Sequence, residues 1–313
     1  MSRVLILSRK ADEYRRLVEA AKLPGLEKLS AATDVPEALA SGDDFDVIFG
    51  EPVMIREVIA RQRNLRWVQS TYAGVEPLLD PAQRRDYLLT NARGVFGGLM
   101  AEYVFGYLLA HERRIFERYG AQQEGRWDNS LTGTLRGKTI GLLGVGSIGA
   151  VLAASARHFG LAVRGYTRES ESCPDVQAFY HGSHLLDFAG GLDYLVSVLP
   201  NTKETQCLVD AALLGRLAAH AVFINVGRGS AVDETALVTA LQTGKLAAAV
   251  LDVFEQEPLP PGHAFWHTPN LMLTFHTSAP SIPADLANLF IENYLRYADG
   301  STPLHAVDFE KEY

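Results

Sequence analysis

Lys138-Thr139-Ile140-Gly141-Leu142-Leu143-Gly144-Val145-Gly146-Ser147-Ile148-Gly149 is an apolar run that ends in three glycines spaced Gly-x-Gly-x-x-Gly. The spacing alone is weak evidence. Here the run reads as a buried strand, and residues 148–159 carry a helical pattern, which is the context a dinucleotide-binding turn requires. Gly144 permits the tight turn, Gly146 lets backbone approach a pyrophosphate, and Gly149 lets the helix pack closely. Ser147 and Ile148 open the helix, whose exposed amides and positive end favour an anion. A glycine turn without a ligand is the plainer alternative, and the strand–turn–helix context weighs against it.

Outward from this turn the same theme recurs. Bounded apolar runs at 139–143, 162–166, 194–199, 222–226, 247–252 and 271–276 each fit a strand buried on both faces. Helical patterns at 148–159, 183–188, 210–217 and 234–243 connect them. Six parallel strands with crossover helices describe a Rossmann domain. Upstream, runs at 4–7, 46–50, 65–70 and 88–91 alternate with helical patterns at 11–21 and 55–62, as in a small doubly wound domain. Residues 99–118 read as one long helix whose apolar residues nearly encircle it, so burial in a core or against a second subunit is expected. The last amphipathic pattern, 282–297, leaves too little chain for a further domain and is expected to return to the first one. The expected architecture is α/β, with two doubly wound parallel-sheet domains. A Rossmann dinucleotide-binding domain at 98–279 is inserted in a flavodoxin-like substrate domain made of 1–97 and 280–313.

The composition agrees with such a protein. Of 313 residues, 47% are hydrophobic and 21% charged, which suits a globular chain with sizeable cores. A formal charge of −8 argues against a nucleic-acid surface, so an anionic ligand needs locally placed arginines. The two cysteines, Cys173 and Cys207, form no metal or disulfide pattern, and a reducing cytoplasm is the expected setting. The apolar run at the N-terminus is too short for a signal peptide, and no stretch reaches membrane-spanning length.

The second strand of the dinucleotide domain ends Arg164-Gly165-Tyr166-Thr167-Arg168-Glu169-Ser170. NAD-binding chains place an acid there for the ribose 2′-hydroxyl. Thr167 stands in its place, and Arg168 follows. A hydroxyl beside a guanidinium suits a 2′-phosphate, so NADP(H) is favoured and NAD(H) is the alternative.

Ligands of such sheets bind at the carboxyl ends of the strands. Those ends carry Arg228 after the fourth strand, Asp252 and Glu257 after the fifth, and His276 at the end of the sixth. Taken singly, each reads more simply as structural. Together they supply what hydride transfer to a 2-oxo acid needs. Arg can hold a carboxylate in bidentate fashion, His as a residue type exchanges protons near neutrality, and a carboxylate orients the imidazole.

At these residues the chain resembles the D-isomer-specific 2-hydroxyacid dehydrogenase family. The matching segments are Gly144-Val-Gly-Ser-Ile-Gly149, Leu199-Pro200-Asn-Thr-Lys-Glu-Thr205, Asn225-Val-Gly-Arg228-Gly-Ser-Ala-Val-Asp233, Leu251-Asp252-Val-Phe-Glu-Gln-Glu257-Pro258 and Thr274-Phe-His276. Upstream, Ser70-Thr-Tyr-Ala-Gly74-Val75 and Asn91-Ala-Arg-Gly-Val95 also look like it. The resemblance implies Arg228 as substrate anchor, His276 as general acid/base and Glu257 as its partner. It implies that amides of Ala73, Gly74 and Val75 receive the substrate carboxylate beside Tyr72. Leu199, Pro200 and Thr205 would face the cofactor, with Val226, Gly227, Asp252 and Ser278 on its nicotinamide side. It also implies a homodimer formed through the dinucleotide-binding domain. Phe275 stands where the family commonly has Pro, and the missing acid near Thr167 resembles the NADPH-preferring glyoxylate/hydroxypyruvate reductase branch. A cofactor-sensing regulatory protein with the same fold is the alternative from another class.

Overall fold

The apolar runs form two parallel sheets in the computed structural model, which describes residues 1–42, 44–168 and 170–310. The chain divides into one unit of Met1–Phe96 with Ser281–Tyr313 and another of Gly97–Pro280.

The first unit holds β1 (Ser2–Leu7), β2 (Leu26–Ala32), β3 (Val47–Gly50), β4 (Trp67–Ser70) and β5 (Leu88–Thr90). Their order is β2-β1-β3-β4-β5 and every pairing is parallel. The helix Pro283–Ala298 completes this unit. Phe290 stacks between Phe49 and Trp67, with centroids 4.6 and 5.4 Å away. Asn293 Nδ2 donates to Gln69 Oε1 at 2.8 Å. Truncating a core Phe costs about 3–5 kcal/mol, so this stack ties the last helix firmly to the N-terminal sheet. The sequence reading gives four strands here, and the structure adds β2. This edge strand is mostly half-exposed and carries Glu27, Lys28 and Ser30, so no apolar run marks it.

The second unit holds β6 (Thr139–Leu143), β7 (Ala162–Tyr166), β8 (Ala178–Tyr180), β9 (Tyr194–Ser197), β10 (Val222–Asn225), β11 (Ala248–Leu251) and β12 (Leu271–Leu273). The order is β12-β11-β10-β9-β6-β7-β8, all parallel, so the sheet has seven strands rather than six. The additional one, β8, is a three-residue edge strand. The strand order reverses between β6 and β9, and such a reversal opens a crevice at the carboxyl edge.

The expected single helix at 99–118 is two helices, Gly97–Glu112 and Ile115–Gln123, with Arg114 between them at φ 52°. Glu112 explains the break. Its Oε1 accepts from Lys138 Nζ at 2.5 Å and Tyr194 Oη at 2.6 Å, and its carbonyl accepts from Gly133 N at 2.9 Å. These bonds hold the helix end inward while the chain turns away. Within the chain, Glu102 and Gly106 of the first helix are exposed, and the opposite face packs on the helix Ser147–His158. The expected helix at 183–188 is a 3₁₀ turn, Gly182–His184, followed by the helix Leu185–Ala189. Among the described residues, no helix is long and apolar enough to cross a membrane.

Candidate active site

The glycine turn sits where β6 meets the helix Ser147–His158. Gly144 has φ 95°, which only glycine adopts without strain, and a Cβ at Gly149 would lie 2.3 Å from the Gly144 carbonyl oxygen. A Cβ at Gly146 would meet nothing within 4 Å. No side chain caps the helix and no acid lies in its first turn, so its initial amides are left for an anion. Ser197 Oγ, buried at the carboxyl end of β9, has no hydrogen-bond partner among the described residues. These features fit a dinucleotide pyrophosphate. Gly146→Ala should therefore leave the thermal unfolding midpoint near wild type but raise KM for the cofactor about tenfold, the scale of a mild clash. Gly149→Ala should lower the midpoint instead. Equal melting with unchanged KM in both would remove the turn from cofactor binding.

Past β7, Thr167 Oγ1 donates to the Ser170 carbonyl at 2.8 Å. His181 Nδ1 lies 3.0 Å from the Thr167 carbonyl oxygen, and its Nε2 lies 2.9 Å from Glu171 Oε1. Arg168 meets Glu204 Oε2 at 3.5 Å, an exposed and solvent-screened pair. Glu169, named above beside Arg168, lies outside the described residues. Glu204 belongs to the turn that Thr205 closes, where Thr205 Oγ1 donates to the Pro200 carbonyl at 2.7 Å. Leu199 is buried beside it, and a Cβ at Gly227 would lie 2.6 Å from Leu199 N, so the ends of β9 and β10 press together.

Three loops at the same carboxyl edge lock to one another. Asp252 is fully buried and accepts from Thr274 Oγ1 at 2.5 Å, Thr277 N at 2.9 Å and Ser278 N at 3.0 Å. Burial alone would raise its pKa, but donors from Ser278, Thr274 and Thr277 outweigh it and hold the carboxyl below its ordinary value. Its charge is therefore kept, and the backbone of residues 274–278 is tied to the end of β11. The Asp252 carbonyl accepts from His276 N at 2.7 Å. Glu257 is fixed from two sides, its Oε1 accepting from Phe254 N at 3.0 Å and its Oε2 lying 2.8 Å from His276 Nδ1. Among the described residues, no hydrogen bond engages His276 Nε2, and the imidazole is more than half exposed. His276 lies three residues past β12, at φ 56°, not at the strand end that the sequence suggests. Arg228 precedes the turn Gly229–Ala231, and its Nη1 donates to the Gly227 carbonyl at 2.9 Å. A Cβ at Gly229 would lie 1.8 Å from the Phe254 carbonyl carbon, so the Arg228 loop presses on the Glu257 loop. Val226 is buried beneath it. Phe275 packs against Trp266 and Phe254, with centroids 5.7 and 6.4 Å away.

In the first unit, Ser70 ends β4 and residues 71–75 follow it. Ser70 Oγ donates to the Tyr72 carbonyl at 2.8 Å and accepts from Tyr72 N at 2.9 Å. Asn91 Nδ2 donates to the Ala73 carbonyl at 3.0 Å, and Leu78 N to the Val75 carbonyl at 2.8 Å. The carbonyls of Tyr72, Ala73 and Val75 are thus engaged, while no hydrogen bond among the described residues has the amides of Ala73, Gly74 or Val75 as donors. Successive unengaged amides form a concavity suited to an anion. Sequence reasoning overlooked Glu51, which is buried after β3 and accepts from Tyr72 Oη at 3.3 Å. Its only signal was a single acid at a strand end.

The model of the D-isomer specific 2-hydroxyacid dehydrogenase NAD binding domain matches residues 105–278. The chain belongs to that family. A glyoxylate/hydroxypyruvate reductase A from Serratia proteamaculans is 34% identical over 274 residues, covering 85% of this chain and 86% of the relative. A family protein of known structure from Aeromonas salmonicida is 42% identical with a TM-score of 0.93, covering 99% of this chain and 100% of that one. Another, from Xanthobacter autotrophicus in complex with NADPH and MES, is 32% identical with a TM-score of 0.87 and full coverage of both chains. Membership gives the Gly-x-Gly-x-x-Gly turn its meaning, and the two-sheet α/β fold is the one that these structures share.

Proposed function

We propose that the chain reduces a small 2-oxo acid of the glyoxylate or hydroxypyruvate kind to the D-2-hydroxy acid, with NADPH favoured over NADH. The Glu257–His276 pair at 2.8 Å carries this reading, because turnover needs a held imidazole and cofactor sensing does not. The names of the Serratia relative and of the NADPH-bound Xanthobacter structure support the substrate kind and the cofactor. When bound, the nicotinamide supplies or takes the hydride. His276 Nε2 gives a proton to the developing alkoxide, while Glu257 holds Nδ1 and so fixes the ring. Arg228 holds the substrate carboxylate and polarises the 2-oxo group. The amides of Ala73, Gly74 and Val75 receive the carboxylate, with Tyr72 beside them. Gly144, Gly146, Ser147, Ile148 and Gly149 hold the pyrophosphate, and Thr167 and Arg168 the 2′-phosphate. Leu199, Pro200, Thr205, Val226, Gly227, Asp252 and Ser278 line the rest of the cofactor. Residues 98–279 act as the dinucleotide-binding domain, and 1–97 with 280–313 as the substrate domain.

The reading includes a homodimer formed through the second unit. Ile115, Phe116, Tyr119, Trp127 and Leu131 are 50–95% exposed there, and such apolar surface is commonly covered by a partner. A cytoplasmic setting is in keeping with the unpaired Cys173 and Cys207. Steady-state oxidation of NADPH and NADH against a panel of 2-oxo acids tests the function. Turnover of glyoxylate or hydroxypyruvate is expected, with kcat/KM higher for NADPH. No turnover across the panel, with tight cofactor binding retained, would sink it.

A further inference from the structure

The order of the first sheet reverses between β1 and β3, and the crevice above such a reversal is where ligands of these sheets bind. Glu51 is buried there. Its Oε1 accepts from Ser8 Oγ at 2.9 Å and Arg9 N at 2.9 Å, and its Oε2 takes Tyr72 Oη at 3.3 Å and faces Arg9 Nη1 at 3.6 Å. Donors from the ends of β1 and β4 therefore converge on both oxygens. Glutamine would turn an amide donor toward one pair of them, so the position calls for a carboxylate. Hydride transfer makes no use of this group. What it holds is Tyr72, whose residue is 37% exposed while its hydroxyl is anchored. Burial first, and then the Glu51 charge, push the phenol pKa up, so the hydroxyl remains a donor. Ser70 and Ala92 fasten the Tyr72 backbone as well.

We propose that Glu51 is a positioning residue that pins the Tyr72 ring as a fixed wall beside the amides of residues 73–75, restricting the chain to short, unbranched 2-oxo acids. This rests on the reading of those amides as the carboxylate seat. An acid held there carries its 3-substituent close to the neighbouring residue, where an immobile phenol competes with it for space. A pocket wall of this kind discriminates by about 10- to 200-fold per added group.

The test compares kcat/KM for glyoxylate, pyruvate and the branched 3-methyl-2-oxobutanoate in wild type, Tyr72→Ala, Tyr72→Phe and Glu51→Gln. Wild type should favour the two short acids. Tyr72→Ala should raise the branched-to-glyoxylate ratio about tenfold or more. Glu51→Gln and Tyr72→Phe should shift it the same way by less, with KM for glyoxylate moving more than kcat. A merely structural role would lower all three acids by one common factor, and unchanged ratios in Tyr72→Ala or Tyr72→Phe would overturn the proposal. Should Glu51→Gln fail to fold, Tyr72→Phe decides, since it removes one hydroxyl from a partly exposed residue. A wild type that turns over none of the acids would overturn the underlying function instead, and that outcome is distinct from unchanged ratios.

Discussion

His276→Ala is expected to lower kcat for 2-oxo acid reduction by about 10² to 10⁴, the usual effect of removing a general acid. The affinity for NADPH should stay near that of wild type. The imidazole has one nitrogen on Glu257 at 2.8 Å and the other unengaged among the described residues, so the ring is oriented to give a proton from Nε2. Its backbone sits at φ 56°, where alanine is strained and asparagine is better tolerated. His276→Asn is therefore the companion variant, and a similar loss in both separates lost chemistry from lost backbone. Fluorescence titration with NADPH and single-turnover reduction read the two quantities. Activity within threefold of wild type in both variants would remove His276 from the proton-donor role.

Arg228→Ala should cost about 10² to 10⁴ in kcat/KM, shared between a higher KM and a lower kcat. Each charge-assisted hydrogen bond is worth about 1.5–3 kcal/mol, and a guanidinium can give a carboxylate two of them. Arg228→Lys should recover little, because an ammonium cannot reproduce the planar fork. The Arg228 loop is braced by Asn225, whose Nδ2 donates to the Arg228 carbonyl at 2.9 Å and whose Oδ1 accepts from Gly227 N at 3.1 Å. These bonds run through the backbone of residues 227 and 228, so this part of the loop's bracing survives the substitution. A variant with unchanged kcat and only a raised KM would mean that Arg228 binds substrate without stabilising the transition state.

What could be read from the sequence follows from which physical demands leave a residue signature. A tight turn against a helix demands glycine, so Gly144 and Gly149 were visible, and the φ of the first and the close approach at the second require them. Interior strands of a parallel sheet are buried on both faces, so β3, β4, β6, β9 and β10 appeared as apolar runs. The edge strand β2 carries Glu27, Lys28 and Ser30 and is mostly half-exposed, and β8 is only three residues long, so neither left a run. The break at Arg114 had no local cause to read, since Glu112-Arg113-Arg114-Ile115 contains neither Gly nor Pro. Its cause lies in Lys138 and Tyr194, far along the chain. In the candidate site, Arg228, Asp252, Glu257 and His276 were legible as polar residues following apolar runs. The reach of Asp252 to Thr277 and Ser278 was not, because it depends on the loop after β12 folding back on the end of β11. Glu51 stayed hidden for the same reason, its partners Ser8 and Tyr72 being distant in sequence.

In the proposed reaction, hydride goes from the nicotinamide to C2 of a 2-oxo acid while the chain protonates the oxygen. The most direct measurement uses NADPH deuterated at C4 of the nicotinamide, on the transferred face, with hydroxypyruvate as substrate and mass and chiral analysis of the product. One deuterium at C2 of D-glycerate is the expected result. Unlabelled glycerate, or the L-isomer, would contradict it.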